Sequence, residues 1–250
     1  MIDLKDIIFA TKLSEAVYPA VEDEDDTSLR NRMALFFPNH AVVTPIHKGG
    51  VDLCHILTPK RQYLVFRGTQ ADRVKDLITD ADIRTTPFVG SMAHMGFVNG
   101  FMGVFPHITR VLISNIPLTI TGHSAGGSLS ILAAIHLPTV DQVIAIAPAA
   151  CLDFHLKKIF EMKMGDRAIS LINAFDIVPR ALIRFELPQP IAFLPNGIAR
   201  IAEYSINERL KSAVMGLSET LRNYSFGNIS KQILRYHGCG VYLSRLEAIK

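Results

Sequence analysis

Residues 122–126 read Gly-His-Ser-Ala-Gly and are the part of this chain best suited to do chemistry. The apolar run at 118–121 predicts a strand before them, and residues 124–137 predict a helix that Pro138 ends. At a sharp turn between a strand and a helix, a serine is held in a strained conformation with its hydroxyl exposed, and flanking glycines leave room for the turn. Ser124 is therefore the candidate nucleophile, with a glycine-rich turn and an incidental serine as the alternative.

A serine nucleophile needs a general base and an acid that orients the base. When the serine lies on a strand-to-helix turn, the acid and then the histidine follow it in the chain. Asp176 comes directly after the strand predicted at 168–174, so its carboxylate would lie at the edge where parallel sheets place their sites. His237 lies in a glycine-rich stretch near the end of the chain, which predicts a loop from which a base can project. The candidates without such a placement are His136, His155, Asp141, Asp153 and Asp166.

Strand and helix patterns alternate along the chain, which predicts an α/β protein with a mostly parallel central sheet and helices on both faces. Two apolar runs separated by residues 58–61 predict a hairpin, the antiparallel beginning of that sheet. The predicted strands are 51–57, 62–67, 118–121, 142–147 and 168–174. The predicted helices are 3–18, 95–114, 124–137, 152–164 and 198–223, with a further helix beginning at 27.

Three prolines and a glycine bracket the apolar run 191–194 within residues 188–197. This pattern predicts a break between elements, but the residues after it are too few for an independent domain. We expect those later residues to fold onto the sheet, whereas the apolar run itself could form a loop that lines the substrate or faces a membrane. A single domain over residues 1–250 is therefore expected.

The 250 residues are 49% hydrophobic and 20% charged, as is typical of a globular domain with a well-filled core. A net charge of +3 without a basic stripe argues against nucleic acid as a partner. The N-terminal residues show no signal-peptide pattern and no run of about 18 apolar residues occurs, so a cytoplasmic protein is expected, with signal-independent secretion as the alternative. The cysteines Cys54, Cys151 and Cys239 are widely spaced and are expected in the core, not in a disulfide framework or a metal site.

Charge is unevenly distributed, with an excess of acids in residues 1–30 and an excess of bases in residues 195–250. The basic part could contact anionic headgroups at a membrane surface. An ordinary solvated helix face is the alternative. The sequence does not indicate an oligomeric state.

Five sequence blocks follow one another along the chain: Phe66 to Thr69, Asp76 to Asp82, His94 to Phe97, GHSAGG from Gly122, and Asn173 to Pro179. In these blocks and their order the chain resembles the class 3 lipases, the α/β-hydrolase family that includes fungal triacylglycerol lipases. The resemblance implies that Ser124 is the nucleophile, Asp176 the acid and His237 the base. It also implies that Thr69 contributes to the oxyanion hole, where the backbone N–H groups of Thr69 and Ala125 are the natural pair.

The segment Gln70 to Ile78 occupies the position of the family's lid, but it carries four charged residues. Such a segment would insert poorly into a lipid surface, which favours shorter-chain esters or phospholipids as substrates. The residues after His237 read Gly-Cys-Gly and also depart from the family pattern.

Two further residues of the family blocks, His94 and Arg67, have structural roles in this interpretation. His94 is implied to be a hydrogen-bonding residue near the site, not a second base. Arg67 is a candidate for an ion pair with Asp80 or Asp82.

These residues predict a serine carboxylester hydrolase that cleaves acyl esters of lipids through an acyl-enzyme intermediate, without metal or cofactor. A narrower alternative is a phospholipase A-type effector acting on bacterial or host membranes. The remaining alternatives are a peptidase or thioesterase on the same fold, and a non-catalytic lipid-binding protein that retains it.

Overall fold

Helices cover both faces of one long sheet in the computed structural model, which describes residues 2–19, 25–37, 41–69, 83–182, 184–188, 191–195, 200–203 and 235–249. The strands are β1 Val42–Lys48, β2 Val51–Leu57, β3 Gln62–Phe66, β4 Thr85–Phe88, β5 Ser91–His94, β6 Leu118–His123, β7 Gln142–Ile146, β8 Ala168–Asn173, β9 Ile191–Leu194 and β10 Ala202–Glu203. The helices are α1 Leu4–Ala16, α2 Asp26–Ala34, α3 Met95–Val111, α4 Ala125–His136, α5 Phe154–Met164, α6 Val178–Ala181 and α7 Cys239–Glu247.

The sheet has eight strands in the order β1-β2-β3-β6-β7-β8-β9-β10. The pairs from β3 to β9 are parallel, whereas β1, β2 and β3 pair antiparallel with one another and β9 pairs antiparallel with β10. The predicted hairpin is confirmed, with Leu57 opposite Gln62 at its turn. The prediction of a mostly parallel sheet with an antiparallel beginning is therefore confirmed.

Side chains of the central strands alternate between two cores. Val143 and Ala145 of β7 belong to the larger core under α3, α4 and α5, whereas Ile144 and Ile146 belong to the core under α1 and α7. Because both faces are covered, a central strand can be apolar at every position. This is why β7 is a continuous apolar run in the sequence and not an alternating pattern.

Strand β1 and the hairpin of β4 and β5 are among the strands that lie outside the predicted elements. β1 is an edge strand that contains Pro45 and has exposed residues at both ends, so it lacks the apolar run from which a strand is recognised. The short strands β4 and β5 form a separate hairpin, also with a proline, Pro87. This hairpin is tied to the chain after β7, since Asp153 accepts hydrogen bonds from Ser91 and from the backbone of Met92.

The segment 191–194 is strand β9, parallel to β8, and all four of its residues are buried. The interpretation of this run as an apolar loop facing substrate or membrane is therefore wrong. Of the later residues, which are expected to fold onto the sheet, 202–203 form strand β10 and pair with β9. The apolar character of β9 comes from burial on both faces of a sheet.

Aspartates cap three of the helices. Asp3, Asp25 and Asp153 each accept a hydrogen bond from the backbone N–H three residues later, which fixes where α1, α2 and α5 begin. The helices predicted at 3–18, 95–114, 124–137 and 152–164 are confirmed to within a few residues at their ends. The helix predicted at 198–223 is wrong at its described residues, 200–203, which are not helical and include strand β10; the other residues of that range lie outside the described part of the chain. Among the helices that are described, none has the length and apolar character needed to cross a bilayer.

Candidate active site

Ser124 lies at the sharp turn between β6 and α4, with backbone angles φ 59° and ψ −127°. A positive φ is costly for a residue with a side chain and is maintained only when its surroundings enforce it. The two glycines provide the space, because a Cβ at Gly122 would overlap the carbonyl oxygen of Gly126, and a Cβ at Gly126 would overlap that of Phe66. The strand, turn and helix expected from the Gly-His-Ser-Ala-Gly motif are therefore present.

Asp176 and His237 form a buried pair beyond the carboxyl end of β8. The Nδ1 atom of His237 lies 2.8 Å from Oδ2 of Asp176, and the two residues are 4% and 1% exposed. Asp176 also accepts a hydrogen bond at Oδ1 from the backbone N–H of Val178, 3.0 Å away. The carboxylate is thus held in place from its own turn while it orients the imidazole.

Tyr242 is a further contact of Asp176 that the sequence interpretation does not include. Its hydroxyl donates to Oδ2 of Asp176 at 2.7 Å and accepts from the backbone N–H of Asn173 at 2.8 Å. Burial raises the pKa of Tyr242, and the charge of Asp176 acts in the same direction, so the phenol remains a donor. A tyrosine inside the apolar run that follows His237 was the only sequence signal for this contact.

The backbone at His237 is helical and does not form the loop that the glycine-rich sequence predicts. Residues 235–237 are helical, Gly238 is not, with φ −54° and ψ 138°, and α7 begins at Cys239. The glycines therefore mark a break between two helical segments. Gly240 is also a packing position, since a Cβ there would meet the carboxylate of Glu15 on α1.

The Oγ of Ser124 and the Nε2 of His237 are both buried, and neither atom has a hydrogen-bond partner within the described part of the chain. Buried polar atoms are nearly always hydrogen-bonded, and exceptions concentrate at functional positions. In a serine hydrolase these are the two atoms between which the proton passes.

Ala125 and Thr69 are the expected oxyanion donors. Ala125 is the first residue of α4, so its N–H has no acceptor within the helix and lies at the positive end of the helix dipole. Thr69 is half-buried and follows Gly68, where a Cβ would come within 3.1 Å of the Cβ of Ser124. The chain leading to Thr69 thus passes directly beside the serine.

His123 connects the serine turn to the base. Its Nε2 lies 2.6 Å from the carbonyl oxygen of His237, and its Nδ1 lies 2.9 Å from the hydroxyl of Tyr18. Burial lowers the pKa of His123 to about 3, and the neighbouring His237 acts in the same direction. His123 is therefore neutral near pH 7.

Arg67 donates from Nη1 to Oδ2 of Asp52, 2.7 Å away. The acids proposed for it from the sequence, Asp80 and Asp82, lie outside the described residues, as does the segment Gln70 to Ile78 proposed as a lid. Asp52 also lies 2.9 Å from the Nδ1 of His47, whose Nε2 lies 2.9 Å from the carboxylate of Asp26 on α2.

His94 caps α3, with its Nδ1 accepting from the backbone N–H of Gly96 at 3.2 Å. Its ring lies between Phe97 and Phe185, at centroid distances of 4.9 and 5.2 Å. These contacts agree with the structural role implied by the resemblance. The three cysteines are free and buried, as expected, and no cluster of metal-ligating side chains occurs among the described residues.

Comparison with known proteins relates this chain to a protein family. The family model described as Lipase (class 3) matches residues 63–185, a range that contains Ser124 and Asp176 but ends before His237. A search of curated proteins finds no match.

Solved structures of fungal origin are similar in fold. A mutant of MDLA from Penicillium cyclopium has a TM-score of 0.64 and 18% identity, covering 81% of this chain and 87% of that one. Lipase II from Rhizopus niveus has a TM-score of 0.62 and 18% identity, over 76% and 80% of the two chains. Rhizomucor miehei lipase in a propeptide complex has a TM-score of 0.60 and 16% identity, over 76% and 68%. The family match over residues 63–185, the ordered sequence blocks and the shared fold support assignment of the chain to the class 3 lipase family.

Proposed function

We propose that this protein is a serine carboxylester hydrolase that cleaves acyl esters of lipids through an acyl-enzyme intermediate. Membership of the class 3 lipase family supports an ester-hydrolysing activity. The observation that carries the finer proposal is the buried Asp176–His237 pair, 2.8 Å apart, with Ser124 held at a strained turn.

In the proposed reaction His237 acts first as a base. Its Nε2 takes the proton from Ser124 Oγ as that oxygen attacks the ester carbonyl, while Asp176 holds the proton on Nδ1 and stabilises the imidazolium. The N–H groups of Ala125 and Thr69 donate to the negative oxygen of the tetrahedral intermediate. His237 then gives the proton to the departing alcohol, which leaves the acyl group on Ser124.

The second half of the reaction repeats these roles with water. His237 removes a proton from water as the water oxygen attacks the acyl carbonyl. His237 then returns the proton to Ser124 Oγ as the fatty acid leaves. Each proton step uses the same imidazole, so its orientation by Asp176 matters twice in every turnover.

The experiment compares Ser124→Ala with Ser244→Ala on p-nitrophenyl acyl esters. Ser244 is an exposed serine of α7 and serves as the matched control. We expect the first change to reduce kcat by several orders of magnitude and the second to leave it unchanged. A Ser124→Ala protein as fast as the parent would exclude the proposal.

A fluorophosphonate probe separates this function from the non-catalytic alternative. The probe should modify the parent at Ser124, as read by peptide mass spectrometry, and should leave Ser124→Ala unmodified. A lipid-binding protein that only retains the fold would not be labelled. Amide and thioester substrates measured beside the oxygen ester test the peptidase and thioesterase alternatives.

Phospholipase activity is a narrower candidate, favoured by the exposed Arg235. This residue lies two positions before His237, with its guanidinium 5.3 Å from the ring centre of Tyr236. A cation close to the base would favour an anionic headgroup, and it would also favour contact with an anionic membrane surface. Faster fatty-acid release from phosphatidylglycerol than from triacylglycerol, with the preference reduced in Arg235→Gln, would support it. Equal rates, or a preference for triacylglycerol, would count against it.

A further inference from the structure

We propose that His123 and Tyr18 are positioning residues for the base. His123 holds the main-chain carbonyl of His237, and Tyr18 of the N-terminal segment holds His123 in the tautomer that can do so. This inference rests on the proposed function, since it assigns these residues a role through His237. Both lie outside the groups expected to touch substrate.

The hydrogen-bond partners of His123 decide its tautomer. The carbonyl oxygen of His237 can only accept, so the Nε2 of His123, at 2.6 Å, must carry a proton. A neutral imidazole has only one N–H, so Nδ1 is an acceptor and takes its hydrogen bond from the hydroxyl of Tyr18 at 2.9 Å. Burial raises the pKa of Tyr18, which keeps the phenol protonated as this bond requires.

Tyr18 is itself fixed by two other elements. Arg32 of α2 donates from Nε to the carbonyl oxygen of Ala16 and from Nη2 to that of Tyr18, at 2.7 and 2.9 Å. The phenol oxygen occupies the space that a Cβ on Gly68 would need. The tyrosine therefore packs against the chain that leads to Thr69 as well as supporting His123.

The carbonyl of His237 is a point where the base needs support. The non-helical Gly238 interrupts the helix, and its own carbonyl accepts from Val241, within α7. His123 is the side chain that binds the preceding carbonyl, and it is adjacent in sequence to Ser124. One hydrogen bond thus joins the backbone of the base to the residue next to the nucleophile.

The neutral state of His123 also matters for the reaction. The rings of His123 and His237 lie 4.6 Å apart. When His237 accepts the proton of Ser124, a second positive charge at that distance would oppose the imidazolium. Burial of His123 prevents this.

Two substitutions at His123 separate its two hydrogen bonds. His123→Gln can place its amide nitrogen where Nε2 lies and keep the donor to His237, whereas His123→Asn reaches only the position of Nδ1 and loses it. We expect His123→Asn to reduce kcat on the order of 100-fold, because misplacing a catalytic group by about 1 Å has that effect. His123→Gln should lose about tenfold or less, and neither change should alter KM.

Tyr18→Phe removes the hydroxyl that donates a hydrogen bond to the Nδ1 of His123. We expect kcat to fall about tenfold with KM unchanged, the effect of one lost hydrogen bond. Tyr63→Phe is the control, since Tyr63 is also half-buried but lies on β3 among Phe9 and Phe37. It should retain the kcat of the parent.

Rates are expressed per active site, counted by the final extent of fluorophosphonate labelling, so that unfolded molecules do not contribute. Equal losses of kcat in His123→Gln and His123→Asn would overturn the proposal, as would a Tyr18→Phe protein within twofold of the parent. If His123→Asn does not fold, Tyr18→Phe decides. A fully active Ser124→Ala protein overturns both the proposed function and this inference, whereas an inactive Ser124→Ala with a normal Tyr18→Phe overturns only the inference.

Discussion

The nucleophile side and the base side of the candidate site differ in how far apart in sequence their supporting residues lie. Ser124 is shaped largely by its neighbours, since a Cβ at Gly122 would overlap the carbonyl oxygen of Gly126, four residues later. His237 is held by Asp176, a partner that lies 61 residues away in sequence. A nucleophile can therefore be specified by local steric constraints, whereas the base depends on long-range hydrogen bonds.

The largest effect is expected for Asp176→Asn, because Asp176 is hydrogen-bonded to both His237 and Tyr242. The amide would present N–H groups to the donors of Tyr242 and His237 and would favour the wrong tautomer of the base. We expect kcat to fall about 10⁴-fold with the protein still folded. Steady-state kinetics on a p-nitrophenyl ester measure this, and Asp166→Asn, on an exposed turn, should behave like the parent. A loss of less than about tenfold would mean that the acid does not orient the base.

The local side of the comparison is tested by Gly122→Ala. The added methyl would overlap the carbonyl oxygen of Gly126, four residues later in the chain, so the turn must move. A shift of about 1 Å at the serine would reduce kcat about 100-fold. Gly165→Ala is the control, because that glycine has open space around it. Its φ is positive, 54°, so the change should cost stability, about 1 kcal/mol in a denaturant titration, and leave kcat unchanged. Full activity in Gly122→Ala would contradict the steric account of the turn.

Acid sensitivity tests whether the buried His123 is neutral in the folded protein. Its pKa is about 3 in the folded state against 6.5 in the unfolded state, so the unfolded chain binds more protons between those values. Stability should therefore fall as pH decreases below 6.5, by up to about 1.4 kcal/mol per pH unit from this group, and the effect should level off near pH 3. Urea titrations at several pH values should show a smaller slope for His123→Gln than for the parent. Identical slopes would mean that His123 is not buried as a neutral residue.

The smallest effect is expected for Tyr242→Phe. The change removes a donor to Asp176 and leaves the backbone N–H of Asn173 without its acceptor. One lost hydrogen bond to a charged group corresponds to about 1.5–3 kcal/mol, shared between unfolding and the barrier to reaction. We expect kcat to fall about tenfold and the midpoint of urea unfolding to decrease. If kcat is unchanged while stability falls, Tyr242 supports the fold and not the orientation of the acid.

The strands that sequence analysis predicts best are those buried on both faces. β7 is apolar from Val143 to Ile146, and β8 is apolar apart from Ser170 and its last residue, Asn173; both match their predicted ranges within one residue. β1 is an edge strand with a proline, and β4 and β5 are four residues long, so their patterns resemble those of loops. The run 191–194 was ambiguous for a related reason, because prolines surround a segment that only its neighbour β8 identifies as a strand.

In the candidate site, motif and chain order were sufficient to propose Ser124, Asp176 and His237, whereas the donor Thr69, with Ala125 as its natural partner, was implied by the resemblance to the class 3 lipases. The contacts of Tyr18, His123 and Tyr242 could not be predicted in this way. Tyr18 lies 105 residues before His123, and Tyr242 lies 66 residues after Asp176. No periodicity or spacing encodes a hydrogen bond between such positions.

The sequence by itself determined the turn at Ser124, since the sterics of a glycine-flanked serine act over a few residues. The sequence also identified the acid and the base, since each had to follow Ser124 in the chain and Asp176 comes directly after a predicted strand. Only the tertiary structure decided how the base is held: α1 brings Tyr18 to the end of β6, and α7 brings Tyr242 to the end of β8. The physical reason is that a hydrogen bond requires its partners within about 3 Å, and that proximity arises only when distant elements pack on the same sheet.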